Sequence, residues 1–511
     1  MKRYVAELNV LYAELLSDAA YAYPALRGEF EKDRLRISHL SGARGLPFFM
    51  VDLPSLGKHL DRCVTRQQYN PPHLPASKPV RKGVVVIPKL FRGLYLLLFE
   101  LDGRLKEDVD IQAYAFLRQL LLGAKKADAE CSEEDKEAAI AAFVDTDFAL
   151  PMPPASWVSP TSEALRSDHR GFARDAGIGG AVRTAFGNER GSKLLQRLDQ
   201  VSGIVVSTLG PYRALEWRFS HGPGSVSDVK PGEDRYLFRN WAERLERAFP
   251  VCDCGHHDLQ SWVEEVTLDR RSSLEPYSRL IAVPKSLRKP RLIACEASEM
   301  MWCQQNIRHF IYERFSKTWL GEFVKFRDQT QNQGMALRGS VDGSLATIDL
   351  SDASDRISCQ VVGNLMRANQ PLLEALAATR TRIVELPLCD SRGNPRYVEL
   401  HKYSTMGNAT TFPIQSMVFL TVALACLCEE ERIINPRILR RLSGKVSIFG
   451  DDIIVPNEIA RTVCTLLEAL GFKVNAAKSY MEGFFRESCG VDAYRGHCVT
   501  PVYWHSVFDG T

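Results

Sequence analysis

Residues 446–456 read Val-Ser-Ile-Phe-Gly-Asp-Asp-Ile-Ile-Val-Pro. Two short apolar, β-branched runs flank Gly450, Asp451 and Asp452, the pattern of a hairpin whose arms are buried and whose turn presents two adjacent carboxylates. Neighbouring aspartates at a tight turn repel each other unless a cation neutralises them, and hard oxygen ligands of this kind suit Mg²⁺ or Mn²⁺. A solvated turn could carry the same tripeptide, so the flanking sequence has to decide.

About a hundred residues upstream, Leu345-Ala346-Thr347-Ile348 forms an apolar strand running into Asp349. A polar stretch follows, Ser351-Asp352-Ala353-Ser354-Asp355, where a helix would start; Asp352 reads as its N-cap. If the two strands are neighbours, Asp349 and Asp451 could clamp two metal ions about 3.5–4 Å apart, the arrangement used for in-line phosphoryl transfer. Between them, Tyr403-Ser404-Thr405-Met406-Gly407-Asn408-Ala409-Thr410-Thr411-Phe412 is a polar, glycine-containing loop offering hydroxyl, amide and N–H donors to a ribose or phosphate. It feeds the apolar run 417–428, whose 12 residues fall short of the roughly 18 needed to span a bilayer and read as a buried helix. Upstream, Lys285, Arg288, Lys289 and Arg291 place four cations within seven residues with no acid among them, suiting a triphosphate or an RNA backbone. Downstream, Lys473 and Lys478 could each protonate a pyrophosphate leaving group.

The rest of the chain sets bounds. Its 511 residues exclude one small binding module, and 45% apolar with 25% charged residues excludes wholesale disorder. A net charge of +3 excludes a histone-like global basicity, so any nucleic-acid site is a local patch. The 13 cysteines and an opening without an apolar signal segment point to a reducing compartment and free thiols. Residues 1–80, ending in the proline-rich 71–75, read as an N-terminal extension. Residues 125–143 suit an exposed helix, and the glycine-dotted 171–191, with Arg170, Arg174, Arg183 and Arg190, reads as a flexible basic loop. The Gly-Ile-Gly-Gly there lacks the strand-and-helix context of dinucleotide binding. Cys252, Cys254, His256 and His257 invite a zinc reading, but the spacing favours an ordinary loop.

Taken in order, the basic 283–291, the Asp349–Asp355 stretch, the Ser404–Thr411 loop, the Gly-Asp-Asp turn and 471–478 resemble motifs F, A, B, C and D of viral RNA-directed RNA polymerases. The wording of these segments, with Phe484-Phe485-Arg486-Glu487-Ser488-Cys489-Gly490, is most similar to the replicase catalytic subunit of single-stranded RNA bacteriophages, the levivirus group. The resemblance covers residues 280–505. It implies an α+β right-hand polymerase, its palm an antiparallel sheet backed by helices: 81–340 as fingers, 341–490 as palm, and 491–511 as the start of an incomplete thumb. Asp349, Asp451 and Asp452 would hold two Mg²⁺, with Mn²⁺ a substitute. Asp355, Ser404, Gly407, Asn408 and Thr411 would read the ribose and place the nucleotide; Lys285, Arg288 and Arg291 would hold the triphosphate; Lys478 would be the general acid. Residues 484–490 would help hold the growing strand's end. Implied partners are RNA template and nascent RNA, NTPs, host elongation factors Tu and Ts and a small-subunit ribosomal protein, with no membrane, in the cytoplasm of a bacterial host.

Three departures stand out: Gln415 where many viral polymerases carry Asn, the additional carboxylate Asp352, and a chain that stops 21 residues after Gly490. A reverse transcriptase would share the palm but carry a bulky aromatic gate soon after Asp349. A non-catalytic RNA-binding scaffold would keep the fold without synthesis.

Overall fold

The arms of the Gly-Asp-Asp hairpin pair as their apolar patterning dictates. In the computed structural model, Ser447–Phe449 runs antiparallel to Asp452–Pro456, Ser447 opposite Ile454 and Phe449 opposite Asp452. Leu345–Ile348 pairs antiparallel along the other edge of Asp452–Pro456, Ile348 opposite Ile453. The structure describes residues 2–505 except 82–83, 231, 237, 239, 259–262, 264–270 and 390–391. Both faces of the three-stranded sheet are covered. Ala346, Ile348, Ile453 and Val455 face a large core with Phe419 and Leu466, while Leu345 and Ile454 meet Met335 and Ala336 of helix Thr330–Asp342. With both faces covered, all four residues of Leu345–Ile348 are buried, Leu345 and Ile348 each contributing about 1.5–3 kcal/mol.

The run 417–428 lies on helix Thr411–Leu427, buried almost all round as its lack of a polar face requires. Among the described residues no helix is long and apolar enough to cross a membrane. Strands Tyr277–Val283 and Arg291–Cys295 form a hairpin in a separate four-stranded sheet, so the basic segment 284–290 is the loop between them.

Helices Lys2–Ala22, Arg27–Arg44, Leu53–Thr65, Arg92–Leu98 and Ile111–Leu122 build a second core, in which Tyr12, Phe49, Leu60, Leu94 and Leu117 are buried together. A boundary at residue 80 therefore separates no two cores: the apolar faces of the first three helices are covered by residues 85–127. Tyr480, Phe485, Tyr494 and Val499 complete the same cluster. Residues 491–505, expected to begin a thumb, continue an antiparallel sheet with Phe485–Ser488 and reach back to the N-terminal helices, where Trp504 N–H donates to Gly123 O at 3.0 Å. Residues 506–511 lie outside the described residues.

The expected flexible loop over 171–191 is corrected by the structure. Asp175 caps helix Ala176–Phe186, accepting from Ile178 N–H, and helix Asn188–Thr208 follows Gly187, whose φ is +80°. The capping aspartate and the apolar spacing through Val182, Leu194, Leu195 and Leu198 outweigh the glycines.

One buried acid gives the fold a pH dependence. Glu299, in the first turn of helix Ser298–Ser316, is 2% exposed. Burial, then the charge of Asp228, pushes its carboxyl up to about 8. The folded value lies above the unfolded one, so the group's contribution is full below about pH 4.5 and is lost as pH rises to 8, on the order of 4 kcal/mol. Thermal unfolding of Glu299→Gln at pH 5, 7 and 8 should show a flatter profile and a higher Tm at pH 8 than the wild type. Parallel profiles would exclude this origin.

Candidate active site

Asp451 occupies the second position of a two-residue turn. Only the first, Gly450, has positive φ (+62°), the requirement of a hairpin turn with glycine at its first central position. Gly450 N–H donates to Ser416 Oγ at 3.2 Å, and a Cβ there would meet the Phe412 ring at 2.5 Å. The turn is thus pinned to the start of helix Thr411–Leu427, while Asp451 itself stays exposed.

Asp349 leaves the end of the neighbouring strand and is held by the segment expected to supply lysines. Asn475 Nδ2 donates to its Oδ2 at 2.7 Å, Ser479 Oγ accepts its backbone N–H at 3.1 Å, and Lys478 Nζ stands 3.8 Å from Oδ1. Burial raises the Asp349 carboxyl, Lys478 lowers it and the charge of Asp451 raises it again. Burial opposes the charge of Lys478, yet Glu487, Asp349, Asp452 and Asp451 together hold its proton above the usual range.

Asp452 points elsewhere. Its Oδ1 accepts from Ser488 Oγ and Cys489 N–H, both at 3.2 Å, and its Oδ2 from Cys489 Sγ at 3.6 Å. Burial, then Asp451, pushes it up to about 6. Among the described residues no group of three or more His, Cys, Asp and Glu side chains is gathered to hold an ion. The oxygens of Asp452 accept from Ser488 and Cys489 of the hairpin 485–494, and its carboxyl feels the charges of Asp451 and Asp349. Asp349, Asp451 and Asp452 are hard-oxygen groups whose mutual repulsion a divalent cation would relieve.

The basic loop lies close to these carboxylates. Desolvation and the charges of Arg291 and Lys478 lower the Lys285 ammonium, while Asp451 favours its charge. Arg288 and Arg291 are exposed. Lys289 stands 3.6 Å from Asp352, which corrects the capping expectation: Asp352 has φ +52° and its side chain caps nothing. The Cys131 thiol donates to Ser286 O at 3.0 Å, tying the loop to the N-terminal part.

The loop 404–411 is held both by its own bonds and by its neighbours, Ala294 N–H donating to Met406 O at 2.7 Å and Ala409 N–H to Gln304 Oε1 at 3.3 Å. Thr411 Oγ1 donates to Ser404 Oγ and Thr405 O, and Asn408 Oδ1 accepts from both the N–H and the hydroxyl of Thr410. Ser404, Asn408 and Thr411 come together, and the Asn408 side chain also bonds buried Glu296. Gly407, exposed at φ +118°, lies where a Cβ would strike Ala294 O at 2.1 Å, so only glycine lets the loop pass this close to strand Arg291–Cys295. Asp355 keeps 20% of its side chain exposed and pairs with buried Lys402 at 3.1 Å.

Asn475 and Ser488 lie within the segments 471–478 and 484–490 that the sequence singled out, but sequence reasoning gave neither a role of its own and missed Ser479, Lys402, Lys58 and Lys125, the last two with ammonium groups that feel both Lys478 and Glu487. A lone lysine on a helix carries no pattern that would have exposed them. Cys252 and Cys254 lie on the one-turn helix Val251–Cys254 where a loop was expected, and His256 and His257 follow it, Cys254 buried and His257 paired with Asp258 at 3.1 Å.

Residues 203–509 match the family model described as RNA replicase, beta-chain. The RNA-directed RNA polymerase subunit beta of Qbeta virus (strain MX1) is 31% identical over 308 residues, 58% of this chain and 47% of the relative. The RNA-directed RNA polymerase beta chain of Escherichia phage MS2 is 38% identical over 311 residues, 59% and 52% of the two chains. The chain spans about half the length of the curated relatives it matches. A crystal structure of the RNA-dependent RNA polymerase of a human picorbirnavirus aligns over 40% of each chain at 15% identity with a TM-score of 0.30, too distant for an argument about shape.

Proposed function

Because the chain belongs to the RNA replicase beta-chain family, we propose that it is an RNA-directed RNA polymerase, joining NTPs on an RNA template to replicate a phage genome. The observation that carries this reading is the pair of carboxylates, Asp349 at a strand end and Asp451 on the adjoining hairpin turn, with Lys478 beside the first. The primer 3′-hydroxyl gives up its proton to water as its oxygen bonds to the α-phosphorus of the NTP, the bond to the pyrophosphate breaks, and the leaving group takes a proton. Lys478, kept protonated by Glu487 and the aspartates, gives it. Lys285, Arg288 and Arg291 hold the triphosphate by charge, and Asp355 accepts from the ribose 2′-hydroxyl, selecting NTP over dNTP. Asp349, Asp451 and Asp452 would hold two Mg²⁺, which would neutralise charge at the reacting phosphate.

On this reading the three-stranded sheet and its helices are the palm of a right hand, with fingers drawn from 81–340. RNA template, nascent RNA and NTPs are the direct partners; elongation factors Tu and Ts and a small-subunit ribosomal protein are the proposed host company, in the bacterial cytoplasm.

The test is incorporation of labelled nucleotides on a primed RNA template with Mg²⁺, with and without host extract. Template-dictated use of NTPs and exclusion of dNTPs is the expected result. Preference for dNTPs would turn the reading to reverse transcription, and RNA binding without synthesis in either condition to a scaffold.

A further inference from the structure

Lys402 is a fully buried ammonium with no role in the chemistry above. Its side chain is 0% exposed, 3.1 Å from Asp355 Oδ1, 3.7 Å from Asp147 Oδ1 and 3.5 Å from the centroid of the Phe143 ring. Asp147 is already committed, since its oxygens accept the backbone N–H groups of His401 at 2.8 Å and Lys402 at 3.0 Å. The carbonyl of Lys402 accepts from Arg380 Nε and Nη2 at 3.1 and 2.9 Å. Next to it, Tyr403 N–H donates to Ile357 O at 2.7 Å, and Ser358 bridges to Lys402. The backbone of Lys402 is therefore fixed from helix Glu133–Phe148, from Arg380 and from the segment just after Asp355, two residues before the loop that begins at Ser404. Its side chain has one place to go.

Taking an ammonium out of water is costly, and an apolar side chain of similar volume would fill a space beside Phe143 more cheaply. What an apolar side chain could not do is hold a mostly buried carboxylate in its charged form. We propose that Lys402 is a positioning residue that fixes Asp355 as an ionised acceptor for the ribose 2′-hydroxyl, and so sets the preference for NTP over dNTP; this rests on the polymerase reading. The groups facing Asp355 are Lys402, Asp352 and Asp147, with Lys289 on the far side of Asp352. Burial and the two acids press Asp355 towards its neutral form, and Lys402 is the cation that opposes them. A neutral Asp355 can donate a hydrogen bond, but it accepts a hydroxyl proton less well.

The test compares kcat and KM for NTP and dNTP incorporation, against pH, in the wild type, Lys402→Met, Lys402→Arg and Asp355→Asn, with thermal unfolding of each. Lys402→Met should cut NTP/dNTP discrimination at least about tenfold, mainly by raising KM for NTP, with dNTP use changed less than about twofold and the pH profile for NTP displaced. Lys402→Arg should recover most of the discrimination, and Lys402→Met should add nothing in an Asp355→Asn background. Equal losses for NTP and dNTP would reduce Lys402 to a structural role. If Lys402→Met does not fold, Asp355→Asn decides: unchanged discrimination there overturns the inference while leaving polymerase activity standing. A wild type without synthesis fails at the earlier step, and the inference falls with it.

Discussion

Template-directed incorporation by Asp451→Asn should fall at least about a thousand-fold below the wild type, while its thermal stability without metal holds or rises. The two halves of this expectation come from one geometry. Asp451 is exposed at the turn, whose shape is set by Gly450 against Ser416 and Phe412 rather than by the Asp451 side chain. Asparagine has the same size and no charge, so the turn survives. Asp349 and Asp452 both feel the negative charge of Asp451, and removing it relieves repulsion between groups held close by the fold. Asp349→Asn should lose synthesis equally but behave differently in stability, because Asn475 and Lys478 are arranged around a carboxylate there. Labelled-NTP incorporation and Tm on the same preparations are the measurements. More than about a tenth of wild-type synthesis in Asp451→Asn would remove Asp451 from the chemistry.

Local pattern carried the sheet. The Gly-Asp-Asp hairpin, the strand into Asp349 and the buried helix behind them were legible because each is written within a dozen residues: apolar arms, a glycine where φ must be positive, and a run with no polar face. Their adjacency was legible only as a condition, and the pairing of Ile348 with Ile453 meets it.

What stayed hidden is set by contacts across long stretches of chain. Asp349 is oriented by Asn475 and Ser479, Asp355 by Lys402, and Lys402 by Asp147, more than 250 residues away. No single-residue pattern announces such partners. Asp352 shows the same limit at short range: its sequence suits a cap, but the chain passes through a left-handed conformation there and the side chain faces Lys289. The helices over 176–208 were misread for the opposite reason, glycines counted as breakers where a capping aspartate and buried leucines decide.

The second large effect lies far from the carboxylates, at Arg118→Met, which should destabilise the chain by about 3–5 kcal/mol, a large share of a typical domain's stability. Arg118 is 2% exposed and bonds Asp61 through one guanidinium nitrogen and Asp492 through the other, while its Nε donates to Val499 O at 2.9 Å. The guanidinium lies 4.9 Å from the centroid of the Phe485 ring, and Tyr114 hydroxyl donates to Asp61 at 2.7 Å. Methionine fills the volume but leaves two buried acids without the guanidinium that joins them. Burial already raises the Asp61 carboxyl even with Arg118 present, so without the arginine the folded state should favour its protonated form more strongly. A group raised in this way contributes stability at low pH and loses it as pH rises, so Arg118→Met should be partly rescued by acidification towards pH 5, the reverse of ordinary acid denaturation. Combining it with Asp61→Leu and Asp492→Leu should recover most of the loss, since a buried ion triad exchanged whole for apolar groups is often neutral. The effect should also reach the site: Asp492 lies on the strand paired with Phe485–Ser488, and Ser488 holds Asp452. Thermal unfolding across pH 5–8, with limited proteolysis of the hairpin, measures each part. A single mutant within about 1 kcal/mol of the wild type, or a triple mutant no better than the single one, would show that the triad does not join the N-terminal helices to the C-terminal sheet.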